Sequence, residues 1–220
     1  MYHYLSSLIT ALILSIATLT ASAEQTSTVT TGFEEESKLQ GYGAFTSLNK
    51  DWMLMALYVD PVDEAKGTAA PQRLEIKIST EKFSQRRFRS LWLNALAIEH
   101  GAEKMAAMQG ELNQFFDLIQ QPLTSGDILI IERTQFGDNT SNEIKINYHT
   151  LANLSSDFLP FIVKSLVGQH PPTQALKSGL MGEESLRAQT NLSIRFDRLE
   201  PTLPRIAEIS RWRKRILASN

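Results

Sequence analysis

One stretch near the middle of the chain changes from the repeat of a strand to the repeat of a helix. In "RLEIKIS", residues 73–79, Leu74, Ile76 and Ile78 alternate with charged side chains. Because successive side chains of a strand point to opposite faces, this pattern predicts a strand with one buried face and one solvated face. From Phe88 onward the apolar residues recur at helical spacing instead. We therefore expect helices to pack on one face of a sheet.

The junction between the two repeats carries helix-start signals. Ser79-Thr80-Glu81 offers hydroxyl groups that can cap a helix and an acid that the helix dipole favours in the first turn. Gly101 interrupts the helical pattern, and a second amphipathic helix with methionines in its apolar stripe is predicted from Met105 to Ile119. The stripe is typical of core packing, with a pocket lining as the alternative.

Four further stretches predict strands. Residues 39–48 and 52–60 are short apolar runs joined by polar residues at Asn49-Lys50. Residues 126–135 and 142–149 flank "FGDNTS", which has the composition of a hairpin turn. Since strands and helices are segregated along the chain, we predict an α+β fold, an antiparallel sheet covered on one face by a helical layer.

Two helices are predicted between Phe158 and Gly182. Ser156 can cap the first helix, and Gly168 is predicted to end it in a left-handed conformation. Pro171 or Pro172 would then start the second helix.

The first residues of the chain resemble an export signal. An apolar run from Leu8 to Leu19 precedes Ala21-Ser22-Ala23, the small-x-small pattern at which signal peptidase cuts. We predict a signal peptide over 1–23, a mobile leader over 24–38, and export to the periplasm or the medium. An uncleaved membrane anchor is the alternative, although the run is shorter than the roughly 20 residues that span a bilayer.

The composition excludes several kinds of chemistry. The chain of 220 residues has no cysteine and a net charge of −2, so thiol chemistry and disulfides are absent and nothing indicates nucleic acid. The four histidines are scattered without the spacing of metal ligands, and no serine lies in a G-x-S-x-G motif. We expect no metal, no cofactor and no standard hydrolase site.

The C-terminal residues 183–220 differ from the rest and are predicted to be an extension. Leu192, Ile194 and Phe196 alternate and predict a strand, and Thr202 can cap a helix. That helix carries the strongest basic cluster of the chain: Arg211, Arg213, Lys214 and Arg215. The cluster is typical of a solvated helix face, and the alternative is a patch that meets anionic lipid or an acidic partner.

The residues that precede this extension resemble the chalcone isomerase family and its bacterial chalcone isomerase-like members. The closing "LVGQHPP" and "ALKSGLMG" carry most of the resemblance, and "LMALYVD", "RLEIKIS", "STEKF" and "SGDILIIER" fall in the family's order. The resemblance covers residues 39–182. It implies an open-faced β-sandwich with a ligand cleft between the sheet and the helices.

The resemblance also implies positions for the cleft. The plant enzymes place an arginine, a threonine, a tyrosine, an asparagine and a final Ser/Thr there. No Arg or Lys lies between Leu39 and Asn49, and the threonine position falls at Met53. The tyrosine position falls on Phe88, or on Phe83 in another register, and the asparagine position on Ala95 or Ser90. Only Ser165 keeps a hydroxyl.

The missing polar groups shape the functional hypotheses. Ring closure on a flavanone needs donors that hold an oxyanion, and Met and Phe offer none. Family relatives that bind fatty acids use the arginine and the tyrosine as well. We therefore predict a non-catalytic exported protein that acts as a scaffold or binds an apolar small molecule or a protein partner. The alternatives are an isomerase that uses Ser165, Tyr42 and Arg89, and a module that binds an anionic membrane surface through its basic helix.

Overall fold

The computed structural model describes residues 37–61 and 70–219. The predicted signal peptide 1–23 lies outside the described residues, as does the predicted leader 24–38 except for its last residues. Lys38 already belongs to the first strand. The signal peptide and the export that it implies remain predictions.

The described residues form a single sheet of six strands in sequence order, each antiparallel to its neighbours. The strands are β1 (Lys38–Ser47), β2 (Lys50–Val59), β3 (Pro71–Ile78), β4 (Ile128–Phe136), β5 (Asn139–Ile146) and β6 (His149–Ser155). The helices are α1 (Gln85–Ala107), α2 (Gln109–Asp117), α3 (Phe158–Val167), α4 (Gln174–Leu180), α5 (Leu186–Asp197) and α6 (Leu203–Ser219). The predicted α+β class and antiparallel sheet are confirmed.

The sheet has an inner face and an outer face of different character. Alternate residues of the strands point inward and share one apolar core with α1, α2, α3, α4 and α6. On β3 these are Leu74, Ile76 and Ile78, as the alternation predicts. On the outer face a smaller cluster joins Leu54 and Ala56 of β2 to Phe196 of α5. Helices therefore pack on the apolar part of the inner face and on part of the outer one.

The first helix starts later than predicted and breaks where predicted. Ser84, not the Ser79-Thr80-Glu81 triplet, caps α1 by accepting a hydrogen bond from the backbone N–H of Arg87. The residues in between are extended, because Phe83 exchanges two backbone hydrogen bonds with Leu123. Gly101 interrupts the helix with φ 73° and ψ 174°.

The sixth strand is absent from the sequence predictions. The sequence predicts that the second hairpin strand runs on to His149, but β5 ends at Ile146 and the chain reverses at Asn147 and Tyr148. Both turn residues have positive φ, at 44° and 70°. Tight hairpin turns require this conformation, and glycine or asparagine usually supplies it. Because tyrosine is not a typical residue of such turns, the sequence does not indicate this turn.

The predicted strand in the tail is wrong, since "NLSIRFD" is the second half of the helix α5. Ser185 caps α5, and Phe196 is its fully buried residue, whereas Ile194 is 47% exposed. The alternation of Leu192, Ile194 and Phe196 is therefore coincidental, because a run of seven residues fits either period.

The tail covers the free edge of β1. The side chain of Gln189 on α5 accepts a hydrogen bond from Tyr42 N–H at 2.9 Å and donates one to Tyr42 C=O at 3.2 Å. It also donates to Gly179 C=O at 2.8 Å. One amide thus pairs with both backbone groups of an edge-strand residue, as a neighbouring strand would.

No helix within the described ranges is long and apolar enough to cross a membrane.

Candidate ligand-binding site

The four predicted cleft residues lie between the inner face of the sheet and the helices. Met53 comes from β2, Phe88 and Ala95 from α1, and Ser165 from α3. All four are buried, and Met53 and Ser165 have no exposed surface. The structure therefore places these residues in the layer that the resemblance implies for a cleft.

The only hydroxyl of this set is already hydrogen-bonded. Ser165 Oγ donates to the backbone oxygen of Ile162, one turn earlier in α3, at 2.7 Å. This local bond occupies the serine's single proton. Ser165 can still accept a hydrogen bond, but no described base is hydrogen-bonded to it, as a nucleophile would require.

Aromatic rings fill the layer around Phe88. The ring centroids of Phe83, Trp92, Phe115 and Phe116 lie 5.5, 6.2, 6.1 and 6.3 Å from that of Phe88. Such distances and their tilted or edge-on angles are those of favourable aromatic pairs. The layer therefore presents carbon surface at both positions that the resemblance implies for the tyrosine, Phe88 and Phe83.

Trp92 is the residue in this layer that the sequence analysis did not single out as functional. It lies on α1 between Phe88 and Ala95, is completely buried, and its Nε1–H has no hydrogen-bond partner among the described residues. By contrast, the indole N–H of Trp52 donates to Ser47 C=O at 3.1 Å. A buried donor without a partner costs about 1–3 kcal/mol, so buried donors are nearly always paired.

The same layer has no buried cation in the described parts of the chain. The buried polar or charged residues of the whole described chain are Lys77, Thr80, Asp127, Asn142, Asn147 and Ser165. Lys77, the sole base of this set, belongs to the outer face, where its Nζ donates to Glu200 at 2.8 Å. A carboxylate in the layer would therefore find an indole N–H but no positive charge.

The residues of the alternative isomerase hypothesis are not brought together. Ser165 is buried on the inner side of the sheet. Tyr42 packs on the outer side against Phe196, with ring centroids 5.3 Å apart. Arg89 is exposed and donates to Asn113 on α2 at 2.7 Å. These three residues do not form one site.

The segment "LVGQHPP" holds a carboxylate of α1. Glu99, whose side chain is 3% exposed, accepts a hydrogen bond from the backbone N–H of His170 at 2.8 Å. Burial alone would raise the pKa of Glu99, but hydrogen bonds from the backbone of His170 and Gln169 bring it below its usual value. The loop after α3 therefore clamps α1 to α3.

Position 168 is a glycine because Glu99 approaches it closely, and not because the helix ends in a left-handed conformation. Its φ is −72°, which contradicts the predicted left-handed conformation. A Cβ on Gly168 would lie 2.3 Å from Glu99 Oε1, so a side chain would displace the carboxylate. The next helix begins at Gln174 with Thr173 as its cap, and not at Pro171 or Pro172.

His100 strengthens the same junction. Its ring stacks on that of Phe161 with centroids 3.8 Å apart, and its Nε2 lies 2.8 Å from Phe161 C=O. Burial lowers the pKa of His100 below its usual value. The neutral ring is thus the form that the α1–α3 junction favours.

"ALKSGLMG" packs backbone to backbone against β1. A Cβ on Gly41 would lie 2.2 Å from Gly179 C=O, and one on Gly179 would lie 2.5 Å from Tyr42 C=O. Leu176 and Leu180 of α4 then reach Gly43. The Gly41-x-Gly43 pair therefore serves close packing of α4. Both family-like segments thus have structural roles.

The predicted basic cluster lies on α6 with all four side chains, Arg211, Arg213, Lys214 and Arg215, exposed. The buried side of this helix carries Ile209 and Trp212. Arg205 anchors the helix start, since its guanidinium donates to the buried carboxylate of Asp127 at 2.8 Å. Within the described ranges, no group of His, Asp and Glu side chains could hold a metal ion.

Comparison with known proteins identifies the family. A family model described as chalcone isomerase-like matches residues 17–182. This is most of the chain, and the protein belongs to the chalcone isomerase-like family. Helices α5 and α6 lie beyond the matched residues.

A solved structure shares the fold. The crystal structure of a fatty-acid binding protein of Arabidopsis thaliana superposes with a TM-score of 0.50 at 15% identity, covering 75% of this chain and 93% of the other. At this identity the similarity shows the fold alone. No protein with curated annotation matches the sequence.

Proposed function

We propose that this protein is non-catalytic and binds a neutral, apolar small molecule that carries a hydrogen-bond acceptor. The observation that carries the proposal is the unpaired Nε1–H of Trp92, fully buried in a layer made mostly of apolar side chains. A ligand oxygen there would accept the hydrogen bond that the described chain leaves unmade. The fold shared with a fatty-acid binding protein supports an apolar ligand.

The position of Trp92 connects it to the cleft residues. Its ring lies 6.2 Å from Phe88 and 6.3 Å from Phe45, and Phe45 is paired with Met53 across β1 and β2. A ligand in this layer would have to displace apolar side chains. Methionine adapts well to such changes because its side chain is unbranched and flexible.

The ligand is proposed to be neutral because nothing in the layer would balance a charge. The desolvation of an ion costs several kcal/mol unless it is paired. Lys77, the one buried base in the described residues, is on the outer face and already bonded to Glu200. An ester, ketone, aldehyde or alcohol fits this site better than a free carboxylate.

The experiment compares three ligands of equal chain length: hexadecane, methyl palmitate and palmitate. The full-length protein is stripped of lipid, and binding at neutral pH is followed by native mass spectrometry and calorimetry. We expect methyl palmitate to bind more than about 100-fold tighter than palmitate, because the burial of an unpaired carboxylate is unfavourable. Trp92→Phe should weaken methyl palmitate about fivefold, the worth of one neutral hydrogen bond, and leave hexadecane unchanged.

Trp212→Phe is the matched control, because Trp212 Nε1 is also buried without a described partner but lies on α6, outside the family segment. Equal effects of the two substitutions would remove Trp92 from the site. Palmitate binding as tightly as its ester would show that the ligand need not be neutral. If none of the three binds, the apolar layer is core and the protein is a scaffold.

A further inference from the structure

Two basic stretches that are far apart in sequence flank the same short segment, Ile119-Gln120. On one side, the side chain of Gln85 at the start of α1 donates to Ile119 C=O. On the other, Arg215 Nε of α6 donates to Gln120 Oε1 at 2.9 Å. Arg86 and Arg89 follow Gln85 within about one turn of α1, and Arg211 and Lys214 precede Arg215 within about one turn of α6. We name Arg86, Arg89, Arg211, Lys214 and Arg215 the basic surface.

Helix geometry directs the α6 members outward and toward Gln120. Consecutive residues of a helix are about 100° apart, so Arg211 and Arg213 lie on opposite sides of the buried Trp212. Arg215, four residues after Arg211, is on the same side as Arg211, and Lys214 is nearly opposite Trp212. Arg213 points to the other flank, and we leave it out of the basic surface.

Most of these cations have no partner within the described chain. Arg86, Arg211 and Lys214 are exposed, and the described residues give them no hydrogen bond and no ion pair. Arg89 lies 4.0 Å from Asp117, whose side chain is 76% exposed. The local charge is therefore positive, although the net charge of the chain is −2.

A rigid anchor supports the α6 half of this surface. Arg205 bonds to the buried Asp127, to Glu208 at 2.8 Å and to Pro122 C=O at 2.9 Å. Asp127 also accepts a hydrogen bond from Asn147 at 2.8 Å. With Ile209 and Trp212 in the core, the backbone of α6 is fixed, so little backbone order has to be acquired on binding.

We propose that the basic surface docks the protein on an anionic lipid bilayer. Protein interfaces usually have an apolar or aromatic centre. The exposed large apolar residues of the described chain are Leu39, Leu48, Ile98, Phe136, Tyr148, Leu186, Ile194 and Leu203. None of these lies within a helical turn of the basic surface along α1 or α6. A surface whose described side chains offer charge alone suits a bilayer, where each cation strengthens attachment about fivefold.

The experiment measures sedimentation of the full-length protein with vesicles of phosphatidylcholine alone and of phosphatidylcholine mixed with phosphatidylglycerol. Binding to phosphatidylcholine alone is subtracted, which removes any contribution from the apolar N-terminal residues. We expect binding to the anionic vesicles at about 0.01 M salt and its loss near 1 M, where charges are screened beyond about 3 Å. Arg211→Gln combined with Lys214→Gln should weaken it about 25-fold.

Arg86→Gln combined with Arg89→Gln should weaken binding less, about fivefold, because Asp117 already offsets Arg89. The matched control removes two exposed, unpaired arginines, Arg187 in the first turn of α5 and Arg198 at its C-cap, as Arg187→Gln with Arg198→Gln, and should change nothing. Circular dichroism checks that all variants are folded. Equal losses in the control, or no preference for anionic vesicles, would overturn the proposal. Salt-sensitive binding to polyglutamate without binding to vesicles would overturn it in favour of an acidic protein partner.

Discussion

Ile76 and Lys77 are neighbours on β3, point to opposite faces of the sheet and are both almost completely buried, at 0% and 4% exposure. The inner face around Ile76 is buried by apolar contacts with the helices. The outer face around Lys77 is buried by paired charges: Lys77 bonds to Glu200, and Glu200 also accepts a hydrogen bond from Tyr148 at 2.8 Å. Partial burial and this hydrogen bond raise the pKa of Tyr148 to about 12.

The two faces differ in whether their polar groups are free to form a hydrogen bond with a ligand. On the outer face, the polar groups of Lys77, Glu200 and Tyr148 satisfy one another, so a ligand would have to compete with existing bonds. On the inner face, the indole N–H of Trp92 has no described partner. This difference is the reason that we place the proposed ligand on the inner face and not on the outer one.

The largest expected effect comes from truncating Ile76, and its neighbour Lys77 provides the comparison. Ile76→Ala should lower the free energy of unfolding by about 3 kcal/mol, because it leaves a cavity in the core. Lys77→Ala should cost about 1 kcal/mol or less, since its partner Glu200 is 54% exposed and water can replace the lysine. Urea unfolding followed by circular dichroism measures both. Equal losses would mean that the outer face contributes to stability as an apolar core does.

A smaller effect is expected where the inner face meets α4. Gly41→Ala should destabilise by about 2 kcal/mol, because the added Cβ would lie 2.2 Å from Gly179 C=O and the helix would have to move. Gly110→Ala is the control, since no atom lies within 4 Å of its added Cβ, and alanine in α2 should stabilise by up to about 1 kcal/mol. The same unfolding experiment distinguishes the two. A neutral Gly41→Ala would show that α4 is not held by close backbone contact.

The smallest effect concerns the clamp at the edge of the helical layer. Because backbone hydrogen bonds bring the pKa of Glu99 below its usual value, its contribution is present above the unfolded pKa of about 4.3 and is lost as the pH falls through the folded value. Glu99→Gln should cost about 1 kcal/mol at pH 7 and flatten the acid limb of the stability curve. Glu103→Gln, an exposed site one turn further along α1, should leave the curve unchanged.

His100 affects the free energy of unfolding at higher pH than Glu99, so the two contributions can be measured separately. Burial lowers its pKa, so its contribution is present above about pH 6.5 and is lost as the pH falls below that value. This loss should persist in Glu99→Gln. Unfolding curves that were flat between pH 7 and pH 5 would contradict the burial of a neutral imidazole at the α1–α3 junction.

The sequence predicted the elements that a local hydrophobic repeat defines. It missed the turns and caps that depend on residues far away in the chain. β3 was predictable, because amphipathic alternation bounded by polar residues has one interpretation. The turn at Asn147 and Tyr148 was not, because a tyrosine with φ 70° is held by the strands on either side. Ser84 replaced Ser79-Thr80-Glu81 as the cap because Phe83 pairs with Leu123, a contact between residues 40 positions apart.

The candidate site was predicted only in part. The family resemblance led to Met53, Phe88, Ala95 and Ser165, which the structure places in one buried layer. Trp92 looked like an ordinary member of the apolar stripe of α1, and nothing in its spacing shows whether its N–H meets an acceptor. That property depends on the atoms facing it from β1 and α2, which only the folded chain brings together.

The two hydrogen bonds between the amide of Gln189 and the backbone of Tyr42 limit how readily the edge of the sheet can pair with another chain. A strand whose backbone is left open is a template on which other copies of the chain can polymerise. Here the helix that follows the family segment occupies that template in cis. Removal of the tail would therefore expose the backbone of Tyr42 to other copies of the chain.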